Sequence, residues 1–215
     1  MIHDLILFDL DGTLSDPLEG FGRSFNHALI HFGHAPLEHS ELAAFVGPPI
    51  DEAFRTLAGI STDSDIKAYV AKYRERYAEV GYAENVLYPG VPEALRQLSE
   101  AAVPMAVCTS KRSDFATKIL AMFGLLQHFR YVSGGEVGMH KWQQMATLCA
   151  EGMASTASIM VGDRAVDMIA AHRNGMTAAG VLWGYGSREE LARETPLHLF
   201  DSPFDLATLA TQSGR

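Results

Sequence analysis

A pair of aspartates follows the first apolar run of the sequence. Residues 5–8 are continuously apolar, and Asp9 and Asp11 come directly after them, ahead of Gly12. Because side chains along an extended chain alternate with a period of two, both carboxylates can face the same side. Neighbouring carboxylates repel each other, which raises the pKa of one and suits it to proton transfer, while the other stays ionised as a nucleophile. The pair therefore predicts a site for nucleophilic and acid–base chemistry.

A second pair of aspartates, Asp163 and Asp167, follows another apolar run at 158–162. Their spacing places them across the start of a helix, where they can face the same crevice as Asp9 and Asp11. Four carboxylates in one crevice repel one another unless a hard cation and a lysine compensate them, and carboxylate oxygens select ions such as Mg²⁺. We therefore expect Mg²⁺ as the cofactor of this site.

Hydroxyl groups and a lysine provide the complementary donors. Thr109 ends an apolar run that begins at Met105, and Ser110 follows it. Their hydroxyls and backbone amides are suited to holding the oxygens of a phosphoryl group. Lys141 is our candidate for the positive charge that such a site needs, and Lys111 is the alternative.

Short apolar runs and helical segments alternate along most of the chain. Such runs are typical of strands buried on both faces, and their alternation with helices indicates a parallel sheet. Open sheets of this kind bind ligands at the carboxyl ends of their strands. We therefore predict an α/β fold with a Rossmann-like parallel sheet whose central first strand carries the first aspartate pair. The predicted strands are residues 5–8, 105–109, 131–133, 158–162 and 178–182.

Residues 16–85 break this alternation, because apolar residues recur there at helical spacing and no strand-like run is present. We predict an all-helical cap domain at 16–85, inserted after the first strand of a core domain formed by 1–15 and 86–215. The insertion returns to the core at 88–90, so its two linkers meet near the aspartates. A hinged cap over the acidic turn is the expected arrangement. The apolar stripe consists of Ile66, Tyr69, Val70, Tyr73, Tyr77 and Val80.

The insertion also carries polar candidates. His27, His31 and His34 share one helical face and offer a transition-metal site, although a polar helix face is the commoner interpretation. Its basic residues are candidates for contact with the part of a substrate that is not phosphate, although charged helix faces are usually solvated. These basic residues are Arg23, Arg55, Lys72, Arg74 and Arg76.

Composition excludes several classes of protein. The 215 residues include 17 Lys and Arg against 26 Asp and Glu, and the net charge of −9 argues against a nucleic-acid-binding protein. With 47% hydrophobic and 20% charged residues, the chain is not disordered as a whole. No apolar stretch reaches the ~18 residues of a membrane span. Acidic residues in the first apolar run argue against a secretory signal, so we expect a cytoplasmic protein.

The two cysteines, Cys108 and Cys149, lie in apolar surroundings and are expected to be reduced thiols. Cys108 directly precedes Thr109 and is a candidate nucleophile. Because adjacent residues of a strand point to opposite sides, we expect the Cys108 side chain to pack in the core instead.

These motifs, in this order, resemble those of the haloacid-dehalogenase-like phosphohydrolase superfamily. The resemblance rests on Asp9-Leu10-Asp11-Gly12-Thr13-Leu14, Thr109, Lys141 and Gly162-Asp163 with Asp167, and it covers nearly the whole chain. Within the superfamily, the helical insertion, its Gly47-Pro48-Pro49 and the segment 180–186 resemble the phosphoglycolate-phosphatase-like group, which includes bacterial 5′-nucleotidase-like members.

The resemblance implies a role for each residue of the motifs. Asp9 would attack phosphorus and form an aspartyl-phosphate, and Asp11 would protonate the leaving alcohol and then activate water. Mg²⁺ would be held by Asp9, Asp163 and the backbone carbonyl of Asp11, with Asp167 in support. The oxygens of the phosphoryl group would be held by Thr109, Ser110 and Lys141.

The implied activity is hydrolysis of a small phosphorylated metabolite, and several alternatives stay open. Phosphoglycolate leads among the substrates, a 5′-nucleotide follows, and a sugar-phosphate mutase reaction is third. A signalling receiver, in which the aspartyl-phosphate is a switch, is the alternative from another class. A receiver is disfavoured because it needs neither the helical insertion nor Asp11. A dehalogenase is disfavoured because a halide leaving group needs no protonation, so it would have no use for the acid–base role of Asp11. Oligomeric state is not readable from the sequence.

Overall fold

Parallel strands form the centre of the molecule. The computed structural model describes residues 3–57, 59–136 and 138–211. In chain order, the strands of these residues are β1 (Ile6–Phe8), β2 (Ser15–Asp16), β3 (Val86–Leu87), β4 (Met105–Thr109), β5 (Val132–Gly134), β6 (Ile159–Gly162), β7 (Thr177–Val181) and β8 (His198–Phe200).

Six of these strands form one parallel sheet in the order β5-β4-β1-β6-β7-β8. Ile6 of β1 is opposite Met105 of β4 on one side and Ile159 of β6 on the other. The predicted parallel α/β sheet with a central first strand is therefore confirmed. Three of the strands begin one residue later than predicted and β7 begins one residue earlier, which is the usual uncertainty of element ends.

Helices cover both faces of the sheet. The α-helices of the described residues are α1 (Leu18–His31), α2 (His39–Ala43), α3 (Ile50–Leu57), α4 (Asp63–Glu79), α5 (Val91–Glu100), α6 (Ser113–Met122), α7 (Lys141–Ala150), α8 (Ala165–Arg173), α9 (Arg188–Arg193) and α10 (Thr208–Thr211). Short 3₁₀ turns span Gly81–Glu84, Leu126–His128 and Pro203–Ala207.

The period of two along β1 divides its side chains between two apolar clusters. Ile6 and Phe8 pack on one face of the sheet with residues of α5 and α6. Leu5 and Leu7 pack on the other face with residues of α7 and α8. Because both faces are covered, every residue of β1, β4 and β6 is buried, which explains their continuously apolar sequences.

The helices α1 to α4 pack around an apolar cluster of their own. The predicted stripe of α4 is buried in this cluster from Ile66 to Tyr77. Val80 is the exception, because α4 ends at Glu79 and Val80 lies at its carboxyl end with 39% of its surface exposed. Phe115 of α6 also belongs to the cluster, so the inserted helices contact the core there.

Two short strands join the insertion to the core. Ser15 of β2 pairs with Leu87 of β3 in an antiparallel ribbon, and Asp11 forms a β-bridge to Ser15. The two linkers therefore meet beside the acidic turn, as predicted. The prediction of no strand from residue 16 onward is wrong at Asp16, which belongs to β2, because a two-residue strand is too short to show periodicity. Movement of the insertion as a hinged cap stays a prediction.

Within the described ranges, no helix combines the length and the apolar character needed to cross a membrane.

Candidate active site

The acidic turn begins where β1 ends. The backbone amide of Asp9 still donates to the carbonyl of Val161 at 2.9 Å, after which the chain turns around the carbonyl of Leu10. Gly12 has a φ of +84°, and a Cβ at this position would overlap the carboxylate of Asp163. Only glycine therefore lets the turn form while Asp163 lies against it.

Three of the four predicted aspartates meet beneath this turn. Asp9, Asp163 and Asp167 are buried, and each offers an oxygen that lies within 4.8 Å of the other two. Asp163 follows β6 directly, and Asp167 lies in the first turn of α8, where it accepts a hydrogen bond from the backbone amide of Arg164 at 3.0 Å. The carboxyl ends of β1 and β6 therefore bring together three of the four aspartates that we predicted to converge, and Asp11 is the exception.

Lys141 lies in this acidic triad, at the start of α7. Its Nζ is 2.9 Å from Asp9 Oδ2 and also donates to Asp167 Oδ1. Burial disfavours the charge on Lys141, but Asp167 and Asp9 outweigh burial and raise its pKa. The preferred candidate lysine is thus placed in the acidic triad as a permanent cation.

Asp11 lies apart from the triad and has a lysine of its own. Asp11 Oδ2 is 2.8 Å from Nζ of Lys111, which also donates to the hydroxyl of Tyr77 at 2.6 Å. Asp11 Oδ1 is buried without a hydrogen-bond partner among the described residues. Burial raises the pKa of Asp11, and the charge of Lys111 only partly opposes this. Lys111, which the sequence offered only as an alternative to Lys141, is therefore the ion-pair partner of Asp11.

The hydroxyl residues lie at the end of β4, beside β1. Thr109 ends β4 and is buried, and its Oγ1 accepts a hydrogen bond from the backbone amide of Lys111 at 3.3 Å. Ser110 lines the cavity that lies above Asp11. The sequence predicted both positions because they follow a strand and offer hydroxyl groups, and the structure places that strand, β4, beside β1.

A cavity of about 680 Å³, including its open mouth, lies between the core and the inserted helices. The core contributes Asp11, Ser110 and Lys111 at one end of the cavity. The insertion contributes Gly47-Pro48-Pro49, Phe21, Phe45, Asp51, Tyr73, Arg74 and Tyr77.

Arg164 connects the acidic triad to the insertion. Its guanidinium donates to the backbone carbonyls of Val46 at 2.8 Å and Ala44 at 3.2 Å, and to Glu190 at 3.0 Å. These carbonyls directly precede Gly47-Pro48-Pro49. Sequence reasoning missed Arg164, because its contacts depend on where the insertion packs.

Tyr185, in the loop after β7, forms hydrogen bonds to Asp163 of the acidic triad and to β2. Its backbone amide donates to Asp163 Oδ2 at 2.8 Å, and its hydroxyl donates to Asp16 in β2. Thr13 donates to the second oxygen of Asp163 at 3.2 Å. The segment 180–186 was identified by resemblance alone, and its contacts explain why it accompanies the acidic motifs.

The other sequence candidates are placed away from the site. Cys108 is fully buried, and burial raises the pKa of its thiol to about 12, so it is not an activated nucleophile. His34 contacts the hydroxyl of Tyr69 at 2.7 Å, and His27 lies 3.5 Å from Glu75, so the histidines have separate partners.

Most of the basic candidates of the insertion are paired with acidic residues. Arg23 and Arg76 contact Glu84, and Arg55 and Lys72 contact other acidic side chains on the surface. Arg74 differs, because it lines the cavity.

The donor set of the triad fits a hard divalent cation. Asp9, Asp163 and Asp167 offer carboxylate oxygens, the ligands that Mg²⁺ prefers. With all three ionised and Lys141 charged, two negative charges are left in a buried space. Burial, together with repulsion from Asp167 and Asp9, raises the pKa of Asp163 well above its usual value. A dication at the triad would remove this electrostatic strain.

The fold and the site together define an α/β enzyme whose acidic centre lies at the carboxyl edge of a parallel sheet. A family model described as haloacid dehalogenase-like hydrolase matches residues 6–181. The chain belongs to this family, which confirms the resemblance found in the sequence.

Similar proteins carry several names. A 5′-nucleotidase of Pseudomonas aeruginosa is 38% identical over 197 residues, which cover 90% of this chain and 89% of the relative. A phosphoglycolate phosphatase of Agrobacterium fabrum is 31% identical, with 86% and 82% covered. The tyrosine-protein kinase PtkA of Mycobacterium tuberculosis is 39% identical over 85% of this chain, which spans only 63% of that relative.

Solved structures show the same architecture. The crystal structure of a predicted phosphatase from Clostridium acetobutylicum has a TM-score of 0.91 and 29% sequence identity to this chain. The match covers 97% of this chain and 98% of that one.

Proposed function

We propose that this protein is a Mg²⁺-dependent phosphomonoester hydrolase that forms an aspartyl-phosphate on Asp9. The observation that carries the proposal is that Asp9 and Asp11 form ion pairs with two different lysines. Asp9 belongs to the buried triad with Lys141, whereas Asp11 pairs with Lys111 and lines the cavity. One carboxylate is thus arranged for attack at phosphorus and the other for proton transfer to a group in the cavity.

In the first half-reaction, a carboxylate oxygen of Asp9 attacks phosphorus as the bond to the ester oxygen of the substrate breaks. The leaving oxygen takes the proton of Asp11 and departs as a neutral alcohol. The raised pKa of Asp11 supports its role as the proton donor, because burial favours its neutral form. Thr109 and Ser110 would donate hydrogen bonds to the oxygens of the transferring phosphoryl group.

In the second half-reaction, water attacks phosphorus and Asp11, now ionised, accepts a proton from it. The bond between phosphorus and Asp9 breaks, which releases inorganic phosphate and restores both side chains. Overall, one phosphomonoester and one water molecule are converted into one alcohol and one inorganic phosphate.

Asp9, Asp163 and Asp167 would hold the metal ion, with the backbone carbonyl of Asp11 as a further ligand. When bound, Mg²⁺ neutralises the charge that accumulates on the phosphoryl oxygens. Lys141 keeps the ionised carboxyl of Asp9 oriented by the contact at 2.9 Å.

Relatives support a small phosphorylated metabolite as the substrate. Both a 5′-nucleotidase and a phosphoglycolate phosphatase are similar to most of this chain. The cavity beside Asp11 supports hydrolysis over a receiver switch, since it provides room for a leaving group. A cytoplasmic location stays a prediction.

The test is the release of inorganic phosphate by the purified protein with and without Mg²⁺. The panel contains phosphoglycolate, 5′-nucleotides, sugar phosphates and p-nitrophenyl phosphate. We expect Mg²⁺-dependent release that Asp9→Asn lowers at least about 10³-fold. Release that persists in Asp9→Asn, or the absence of any hydrolysis by the wild-type protein, would refute the proposal.

A further inference from the structure

A carboxylate without a partner lies in the wall of the cavity. Asp51, in the first turn of α3, lines the cavity and has only 8% of its surface exposed. Its Oδ1 is buried and has no hydrogen-bond partner among the described residues. Leaving a buried acceptor unsatisfied costs free energy, and the cost is larger for a charged group. The favourable interaction of an acid with a helix amino terminus does not require this burial.

The other charged side chains of the cavity do not supply a donor to Asp51. Lys111 is held by Asp11 and Tyr77. Arg112 forms two hydrogen bonds with Asp114.

Arg74 is the cavity cation that has no hydrogen bond or ion pair with the described residues. Its charge interacts with those of Arg112 and Asp114 and, more weakly, with that of Asp51. The cavity therefore presents a carboxylate and a guanidinium to whatever enters it.

Only some leaving groups offer both a hydrogen-bond donor for Asp51 and an acceptor for Arg74. In phosphoglycolate, the single hydroxyl is esterified and the remaining group is a carboxylate, so no donor is left for Asp51. The same carboxylate can accept from Arg74, but it would be repelled by Asp51. A leaving alcohol with a further hydroxyl or ammonium group supplies the donor directly. Oxygens elsewhere in such a group can accept from Arg74.

We propose that Asp51 selects the substrate by accepting a hydrogen bond from a hydroxyl or ammonium group of the leaving alcohol. The proposal rests on the phosphatase function proposed above. It predicts that hydroxyl-bearing or amine-bearing phosphomonoesters are preferred to phosphoglycolate, which reverses the order expected from the sequence. Sites built to bind a hydroxyl discriminate strongly against analogues that lack it, because a buried group is then left unpaired.

The experiment compares kcat/KM for substrates that differ in this donor. A 5′-ribonucleotide is paired with its 2′,3′-dideoxy form, and ethanolamine phosphate with ethyl phosphate. Phosphoglycolate is the anionic competitor, and p-nitrophenyl phosphate is the donor-free reference. We expect at least one donor-bearing ester to exceed both its partner and phosphoglycolate about tenfold or more. The pair that shows the difference identifies a hydroxyl or an ammonium group as the donor.

Two variants assign this preference to Asp51. Asp51→Ala should reduce the preference, measured as the ratio of kcat/KM between the donor-bearing ester and its partner, at least about tenfold. Asp51→Asn keeps the size of the side chain and an acceptor oxygen, so it should retain part of a preference for hydroxyl groups and lose one for ammonium. Thermal melting checks that both variants fold, and Asp51→Asn provides the test if the alanine variant does not.

Glu52→Gln is the matched control, since Glu52 lies in the same first turn of α3 but is exposed. It should leave the preference unchanged. The inference fails if both Asp51 variants keep the wild-type order of substrates, or if the wild-type protein prefers phosphoglycolate. If the wild-type protein hydrolyses none of the esters, including p-nitrophenyl phosphate, the proposed function itself fails and this inference fails with it.

Discussion

Lys141 Nζ lies 2.9 Å from Asp9 Oδ2, at a position where neither side chain is more than 2% exposed. The same ammonium group donates to Asp167, so one buried cation forms ion pairs with two buried carboxylates. Within the described part of the chain, Asp163 forms no ion pair, and it accepts hydrogen bonds from the neutral donors of Thr13 and Tyr185. This asymmetry makes Asp163 the carboxylate that most needs a metal ion.

Asp163→Asn is predicted to stabilise the metal-free protein. Burial and repulsion from Asp167 and Asp9 raise the pKa of Asp163 well above its usual value, so at neutral pH this carboxyl costs the metal-free fold stability, whether it stays ionised or takes up a proton. Removing the charge should increase the free energy of unfolding by about 1 kcal/mol or more without Mg²⁺. It should also weaken the additional stability that Mg²⁺ gives the wild-type protein. Urea denaturation with EDTA and with MgCl₂ measures both effects.

Asp167→Asn is the control for this comparison. It removes the same charge from the same triad, but it also removes a partner of Lys141. We therefore expect no stabilisation of the metal-free protein. Equal effects of the two variants would contradict the asymmetry.

Gly12→Ala tests the close approach between the acidic turn and Asp163. The new Cβ would meet Asp163 at a φ of +84°, so both backbone strain and overlap are expected. We predict a loss of about 2 kcal/mol or more in stability and a loss of activity. Gly33→Ala has a φ of +83° with nothing within 4 Å of the added Cβ, and it should show only the strain. Losses of equal size would show that the overlap with Asp163 contributes nothing.

Arg164→Ala tests whether the insertion is held over the site by this side chain. Loss of the hydrogen bonds to Val46 and Ala44 should raise KM about fivefold or more and speed amide exchange in residues 44–50. Arg188→Ala, which removes a surface ion pair with Asp201, should change neither quantity. Unchanged exchange in the Arg164 variant would show that these bonds do not hold the insertion.

Cys108 should be inert in the folded protein. With a thiol pKa of about 12, about one molecule in ten thousand carries the thiolate at pH 8, and the side chain is fully buried. Thiolate increases as the pH rises, so labelling by iodoacetamide should become faster only at strongly alkaline pH. Cys149 is partly exposed and should react first. Cys108→Ala should keep its activity, and loss of hydrolysis with retained folding would restore a thiol mechanism.

The sequence predicted the parts of the site that the sheet positions. Asp9, Thr109 and Asp163 lie at the ends of neighbouring parallel strands, so the strand pattern alone brings them to one edge. Asp167 was predicted from its spacing to Asp163 across the start of a helix, and Lys141 as the positive charge that the carboxylates need. The structure places each of them in the first turn of a helix that packs on this sheet.

Contacts between the insertion and the core were not predictable from the sequence. The roles of Lys111, Arg164 and Asp51 depend on where a separate group of helices packs above the sheet. Their long or flexible side chains follow no periodic pattern in the sequence. The two-residue strands β2 and β3 were missed because they are too short to show alternation.

The formation of a phosphoenzyme on Asp9 is the central claim and can be measured directly. Asp11→Asn should be mixed with p-nitrophenyl phosphate and Mg²⁺, because p-nitrophenolate leaves without protonation whereas water still needs a base. We expect a burst of one p-nitrophenolate per active site, followed by slow turnover, with phosphate on Asp9 found by mass spectrometry of the quenched protein. A variant that turns over without a burst and carries no phosphate on Asp9 would rule out a phosphoenzyme on this residue.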